Sequence, residues 1–240
     1  YSRVFRPDLT TIVVIGDITP EEAGTILEKY FGDWKASGPK PDVVLPPVPA
    51  NKPSAVNVPD PTQVQDTVEL VEQLEMNRFS PDYYALQVGN HVLGGGFYAT
   101  RLYRDVRQQA GYVYSIDDSL EAGETRAEYS VSYGCDPQNA SKARTLIEGE
   151  LRAMREYPVT PAELQQAKAL LLRQIPLAES SEDAVASGII RRARIGLPLN
   201  EPLNAAQHYF NMTADQVRTA FAKWIDPASF VQVVRGPTPQ

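Results

Sequence analysis

Two histidines, one cysteine, a stripe of three arginines and a group of tyrosines are the side chains of this 240-residue chain that invite a chemical reading. His91 and His208 lie 117 positions apart, and neither stands in the H-E-x-x-H or H-x-x-E-H pattern that binds zinc. No G-x-S-x-G elbow is present to make either histidine part of a serine triad. Both read better as packing residues: His91 in an amphipathic helix, His208 ahead of Tyr209 and Phe210 on another. Cys135, alone, excludes an intrachain disulfide framework and any multi-cysteine metal site. Leu93-Gly94-Gly95-Gly96-Phe97 lacks the Lys-Ser or Lys-Thr of a phosphate loop and follows a helix, so it reads as a glycine hinge. Glu69, Glu72 and Glu75 alternate with apolar residues and read as a solvated face, without the converging oxygens a cation needs. Arg101, Arg104 and Arg107 recur at i, i+3 and i+6, which as a bare pattern is a surface stripe. Tyr112, Tyr114, Tyr129 and Tyr133 fall on two strands, where tyrosines pack with the hydroxyl at a wet edge. Taken alone, these residues make no complete active site.

The elements that would position them follow from composition and period. Hydrophobic content of 42% and charged content of 22% are globular values, so a disordered or fibrous chain is excluded. No apolar run approaches the ~20 residues of a membrane span. A net charge of −7 with no basic block argues against a nucleic-acid partner. Leu9–Ile15 is β-branched and ends at Gly16, which predicts a strand. Thr19-Pro20-Glu21-Glu22 is a capping box, and the helix it opens carries Ala23, Ile26, Leu27, Tyr30, Phe31 and Trp34 on one stripe. Eight prolines between Pro39 and Pro61 forbid a helix and predict a semi-rigid linker, with a short edge strand at Ala55–Val58. Beyond it the pattern predicts a strand within Gln63–Gln73, a helix from Ser80 to the glycines, and a second helix over Tyr98–Gln109. Two strands come next, Tyr112–Ile116 and Arg126–Tyr133. A block of helices over Pro137–Glu156, Pro161–Ile175, Ser181–Ile195, Pro202–Phe210 and Ala214–Ile225 precedes a last strand, Phe230–Val234. Strands followed by helices predict an α+β two-layer sandwich, a mostly antiparallel sheet covered on one face by helices. Pro7, Val13, Val14 and Gly16 also match Pro227, Val233, Val234 and Gly236 at a constant offset of 220. That echo suggests that the first strand is the last strand of a preceding domain of the same kind. Tyr1 in first position, with no signal-type segment after it, fits a cut through a longer protein.

Two stretches carry a family resemblance. IVVIGDITPEE from Ile12, followed by KYFGDW over Lys29–Trp34, resembles the strand–helix tail of the first domain of zinc metallopeptidases of the pitrilysin, insulysin and mitochondrial-processing-peptidase family. NHVLGGGFYATRLYRDVRQQAGYVYS over Asn90–Ser115 resembles the signature of that family's second domain. Thr100 stands where serine is commoner there, and Tyr112 replaces a small or aliphatic residue. The resemblance runs from about Val4 to Gly236 and implies a processing-peptidase-like fold repeated in two domains. Zinc, held by an inverted H-x-x-E-H motif, would belong to the first domain, absent here or carried by a partner subunit. This chain would then hold no metal or other cofactor. The division implied is a tail of the zinc domain over residues 1–35, a linker over 36–61 and a non-zinc domain over 62–240. An arginine followed seven positions later by a tyrosine, which in the family reach across a clamshell to the scissile peptide, falls on Arg107 and Tyr114.

The expected function is therefore the C-terminal domain of a zinc-dependent metalloendopeptidase, inactive by itself. In it Arg107 would bind the substrate and Tyr114 would serve the oxyanion. The rival is a non-catalytic subunit or assembly protein of the same fold. Expected partners are a peptide substrate and the zinc-binding domain or a paired family subunit, with self-association through residues 9–35 as a further expectation. The resemblance also implies a bacterial periplasmic or envelope setting.

Overall fold

A computed structural model describes residues 1, 3–41, 45–46, 48–96 and 98–237. Phe97 of the glycine hinge and positions 42–44 and 47 of the proline-rich stretch lie outside the described residues. In chain order the elements are α1 (Pro20–Phe31), β1 (Ser54–Pro59), β2 (Asp66–Leu74), α2 (Tyr83–Leu93), a π-helical stretch (Tyr103–Gln109), β3 (Val113–Ala122) and β4 (Ala127–Cys135). After these come α3 (Ala140–Glu156), α4 (Pro161–Leu177), α5 (Glu182–Arg194), α6 (Glu201–Asn211), α7 (Ala214–Trp224) and β5 (Val231–Gly236). The chain divides into two compact units, Tyr1–Pro46 with Gln174–Asn204, and Pro47–Arg173 with Ala205–Gln240.

The second unit holds a single five-stranded sheet in the order β1-β5-β2-β4-β3. β1 runs parallel to β5, and every other neighbouring pair is antiparallel. The expected α+β sandwich is what forms. Period-2 alternation drives it: Val68, Leu70 and Leu74 of β2 and Ala127, Tyr129, Val131 and Tyr133 of β4 point inward and are buried. α3 meets that surface with Ala143, Ile147, Leu151 and Met154, spaced to fall on one helical stripe. α7 adds Phe221, whose ring stands edge-on to Tyr129 with centroids 6.1 Å apart. Gly89 of α2 lies against the same ring; a Cβ there would come within 2.1 Å of it, so the two helices approach only because the residue is glycine. β1 covers the expected edge strand at Ala55–Val58, and with all six residues exposed it can carry Pro59 at its end.

The first unit departs from the sequence reading. Leu9–Ile15 is not a strand: Pro7–Leu9 makes one 3₁₀ turn, and residues 10–15 enter no ladder. A β-branched run becomes a strand only where a neighbour completes its hydrogen bonds, and none of the described residues does so. Its echo at Val231–Gly236 has neighbours on both sides and is β5. α1 forms as expected, with Thr19 accepting from Glu22 N–H and the Glu22 carboxylate from Thr19 N–H. Arg6 is buried here, forked onto Asp8 at 2.7 and 2.8 Å and donating to the carbonyls of Ser37 and Pro39.

Glu72 is a second correction. The expectation placed Glu69, Glu72 and Glu75 on one solvated face, but Glu72 shares the inward parity of Leu70 and Leu74 and is 6% exposed. Its carboxylate accepts the Asp226 backbone N–H at 3.0 and 3.2 Å, and burial pushes its pKa up to about 7 from 4.5. A carboxyl whose folded pKa is raised binds a proton that the unfolded chain has already released. The stability it contributes is whole below pH 4.5 and is lost as pH rises through about 7. Glu72→Gln keeps the acceptor and removes the charge. It should therefore gain on the order of 1–2 kcal/mol over the natural chain above neutrality and match it in acid. Urea titrations at the two pH values measure this, and coincident curves at high pH would return Glu72 to a solvated role.

Candidate functional site

The three arginines of the stripe have different fates. Arg101 forks onto Glu163 at 2.7 and 2.8 Å and lies 3.8 Å from Glu150. Burial alone would raise the Glu163 carboxyl, but hydrogen bonds from Arg101 and Thr160 hold it at about 2, so this pair fastens the π-helical region to α4. Arg104 is forked onto the adjacent Asp105 at 2.8 and 2.7 Å. Arg107 has no carboxylate partner among the described residues; its guanidinium lies 4.8 Å from the centre of the Tyr103 ring. It is the cation of the stripe left with charge to offer a ligand.

Local backbone sets where that charge points. The expected second helix is widened over Tyr103–Gln109 into π geometry, with Ala110 N–H donating to Asp105 O five residues back. Gly111 follows at φ +65°, a left-handed conformation that lets the chain reverse directly into β3. At the start of β3 the register slips between Val113, opposite Cys135, and Ser115, opposite Gly134. Tyr114 is the extra residue of that bulge, and bulges re-aim side chains. Its ring is 52% exposed, and its hydroxyl donates to Asp136 Oδ2 at 3.0 Å. The hydrogen bond to Asp136 raises the phenol's pKa.

Arg107 lines a groove of about 540 Å³ bounded by Gly94–Gly96, Tyr98, Tyr103 and the β3 residues Ser115–Ser119. Tyr114 stands one residue away from those β3 residues and is not part of the lining. The two candidate residues thus occupy the two arms of one helix–glycine–strand turn, with only the arginine in the groove. Tyr129 and Tyr133 pack as expected, but their hydroxyls are buried on Asp118 and the Ala140 carbonyl rather than at a wet edge, and Tyr112 precedes β3, 5.7 Å beneath the Lys142 ammonium.

Beneath the glycine wall is a network the sequence reading missed. Asp118, 4% exposed, accepts hydrogen bonds from the Asn90 amide and the Tyr129 hydroxyl, while the Gly94 backbone N–H above it donates to the Asn90 carbonyl at 3.0 Å. Burial raises both its carboxyl and the Tyr129 phenol well above their ordinary ranges. A Cβ on Gly94 would lie 3.0 Å from Asp118 Oδ1, and one on Gly95 would lie 2.6 Å from Asn90 Oδ1. The glycines are thus a wall resting directly on this network. A signal was available: Asp118 sits at an inward parity between Ile116 and Leu120.

The histidines behave as packing residues. His91 Nδ1 is 3.0 Å from the Gln87 carbonyl, and the His208 ring stacks on Tyr84 at 4.1 Å. Among the described residues no group of three His, Cys, Asp or Glu side chains could hold a metal ion, so zinc does not fit the donors present here. Cys135 is buried beside Asp66, and burial pushes its thiol up to about 11, far from a reactive thiolate.

The described residues thus build a helix-covered, mostly antiparallel sheet with an arginine–glycine–tyrosine turn beside a glycine-walled groove. The chain belongs to the family described as the peptidase M16 inactive domain, whose sequence model matches residues 1–171. It is 23% identical over 176 residues to the "probable inactive metalloprotease YmfF" of Bacillus subtilis, covering 73% of this chain and 40% of that protein. A solved peptidase M16 inactive domain from Pseudomonas fluorescens superposes with a TM-score of 0.79 at 23% identity, over 93% of this chain and 52% of that one. The periplasmic protease PqqL of Escherichia coli superposes with a TM-score of 0.73 at 18% identity, over 93% of this chain and 25% of that one. The chain thus spans about half or less of the length of these three proteins. No described helix is long and apolar enough to cross a membrane.

Proposed function

We propose that this chain is the non-zinc half of a metalloendopeptidase, with Arg107 binding the substrate and Tyr114 serving the oxyanion. The observation that carries this reading is the Arg107 guanidinium in the groove, without a carboxylate partner among the described residues, where Arg101 and Arg104 are both tied to carboxylates. A forked, permanently charged donor suits peptide carbonyls beside the scissile bond, and a neutral phenol suits the oxygen that gains charge as the carbonyl is attacked. The metal would reside in the other half, on the same chain or a paired family subunit, and this half alone would hydrolyse nothing.

The exposed apolar side chains Ile12, Val14, Ile15, Ile26 and Phe31 support a tail over residues 1–35 that the zinc half, or a second copy through residues 9–35, would cover. The linker over 36–61 and non-zinc domain over 62–240 belong to the same proposal. A periplasmic or envelope setting is supported by the fold shared with a periplasmic protease.

The test is Arg107→Lys in a preparation carrying both halves. An ammonium keeps the charge and loses the fork, so kcat/KM should fall roughly 10- to 100-fold, about 1.4–2.8 kcal/mol, with melting unchanged. Unaltered kcat/KM would make Arg107 an ordinary surface residue. The rival, a non-catalytic subunit of the same fold, draws on the relative described as probably inactive. It requires that the assembled, zinc-supplied protein hydrolyse no peptide.

A further inference from the structure

The Tyr114 hydroxyl carries one proton, and in this structure that proton is given to Asp136. The backbone that carries this carboxylate is firmly placed. Asp136 follows Cys135, the buried end of β4 that lies opposite both Asp66 and Val113, and its own carbonyl accepts Asn139 N–H at 2.8 Å. Tyr114 is held less firmly: it is half in solvent on a bulge, and the hydrogen bond that orients its hydroxyl is the one to Asp136. A phenol that donates to a carboxylate makes a charge-assisted hydrogen bond, about twice as strong as a neutral one. An oxyanion that needs the same proton must take it from that acceptor.

We infer that Asp136 is a competing acceptor that holds the Tyr114 hydroxyl out of use, and that the reacting oxygen must displace this carboxylate before the phenol can serve it. The inference rests on the role proposed above for Tyr114 and adds a residue that sets how available that role is. It also accounts for a bulged, half-exposed tyrosine whose hydroxyl is nonetheless oriented. The raised pKa of the phenol agrees, since the carboxylate keeps the proton on the oxygen.

The experiment replaces Asp136 by Asn, a neutral acceptor of the same shape, in the protein carrying both halves and supplied with zinc. Weakening the competitor should raise kcat on a peptide substrate roughly threefold to tenfold. The gain should vanish when Tyr114→Phe is also present. Asp136→Ser, too short to reach the phenol, should show the same rise and stands in should the Asn variant fold poorly. In near-ultraviolet difference titrations against Tyr114→Phe, the Tyr114 phenol should ionise at lower pH once Asp136 is replaced. A damaged fold lowers activity, so a Tyr114-dependent rise has no merely structural explanation. If Tyr114→Phe is costly but neither Asp136 variant raises kcat, this inference is overturned and the role of Tyr114 stands. If Tyr114→Phe is as active as the natural protein, or the assembly hydrolyses nothing, the proposed function falls and this inference with it.

Discussion

Tyr114→Phe, in a preparation that carries both halves, is expected to lower kcat by roughly 10²–10³, about 2.7–4 kcal/mol, the usual cost of losing one oxyanion donor. KM should change little, because the interaction lost is made mainly in the transition state. Melting should barely move. The ring is 52% exposed and its hydroxyl bonds to one side chain at the surface, so deleting the oxygen costs the fold under about 1 kcal/mol. Steady-state kinetics paired with a melting curve separate the two effects. A natural kcat in the phenylalanine variant would leave Tyr114 as a solvent-facing ring on a bulge.

Asp118→Ala should be the most damaging single truncation for the fold around the site. It strands the Tyr129 hydroxyl and the Asn90 amide, two donors whose acceptor is this carboxylate. At ~1–3 kcal/mol per stranded buried group, and allowing for partial relaxation, the loss is about 2–4 kcal/mol. For a unit of this size that lowers Tm by roughly 4–16 °C. Tyr129→Phe removes one donor and leaves the Asn90 amide in place, so its cost should be near half of that. Thermal melts of the two variants give the ratio. Equal and small shifts would show that the network is replaced by solvent.

Much of this architecture is legible in the residues. The five strands, the capping boxes at Thr19, Thr160 and Thr213, and the glycine break after α2 all follow from period and local chemistry. Two kinds of feature resisted. Thr10–Ile15 has strand chemistry but no ladder, because whether a run becomes a strand depends on a neighbour that its own residues do not encode. The burial of Glu72 and Asp118 is encoded in parity, yet a carboxylate in an alternating strand suggests the wet face until its phase is counted against Leu70 or Ile116. For the site, period alone gave no ranking among Arg101, Arg104 and Arg107. Only the positions of Glu163 and Asp105 show which cations are already spoken for. The π-helical widening and the bulge at Tyr114 were likewise invisible, as both arise from how the turn at Gly111 meets the sheet.

The placement of β5 has a consequence for synthesis. β2, β3 and β4 pair among themselves within residues 66–135, yet the other edge of β2 waits for residues 231–235, and Ser54 of β1 meets Val231 across 177 positions. At ~5–20 residues per second, the 162 residues between the end of β2 and the end of β5 take roughly 8–32 s to emerge from a ribosome. During that interval β2 presents an open apolar strand edge, and β1 has no partner at all. Closing the sheet is thus the last and slowest long-range event in building this unit, and the nascent chain is most exposed to intermolecular pairing just before α7 and β5 are made.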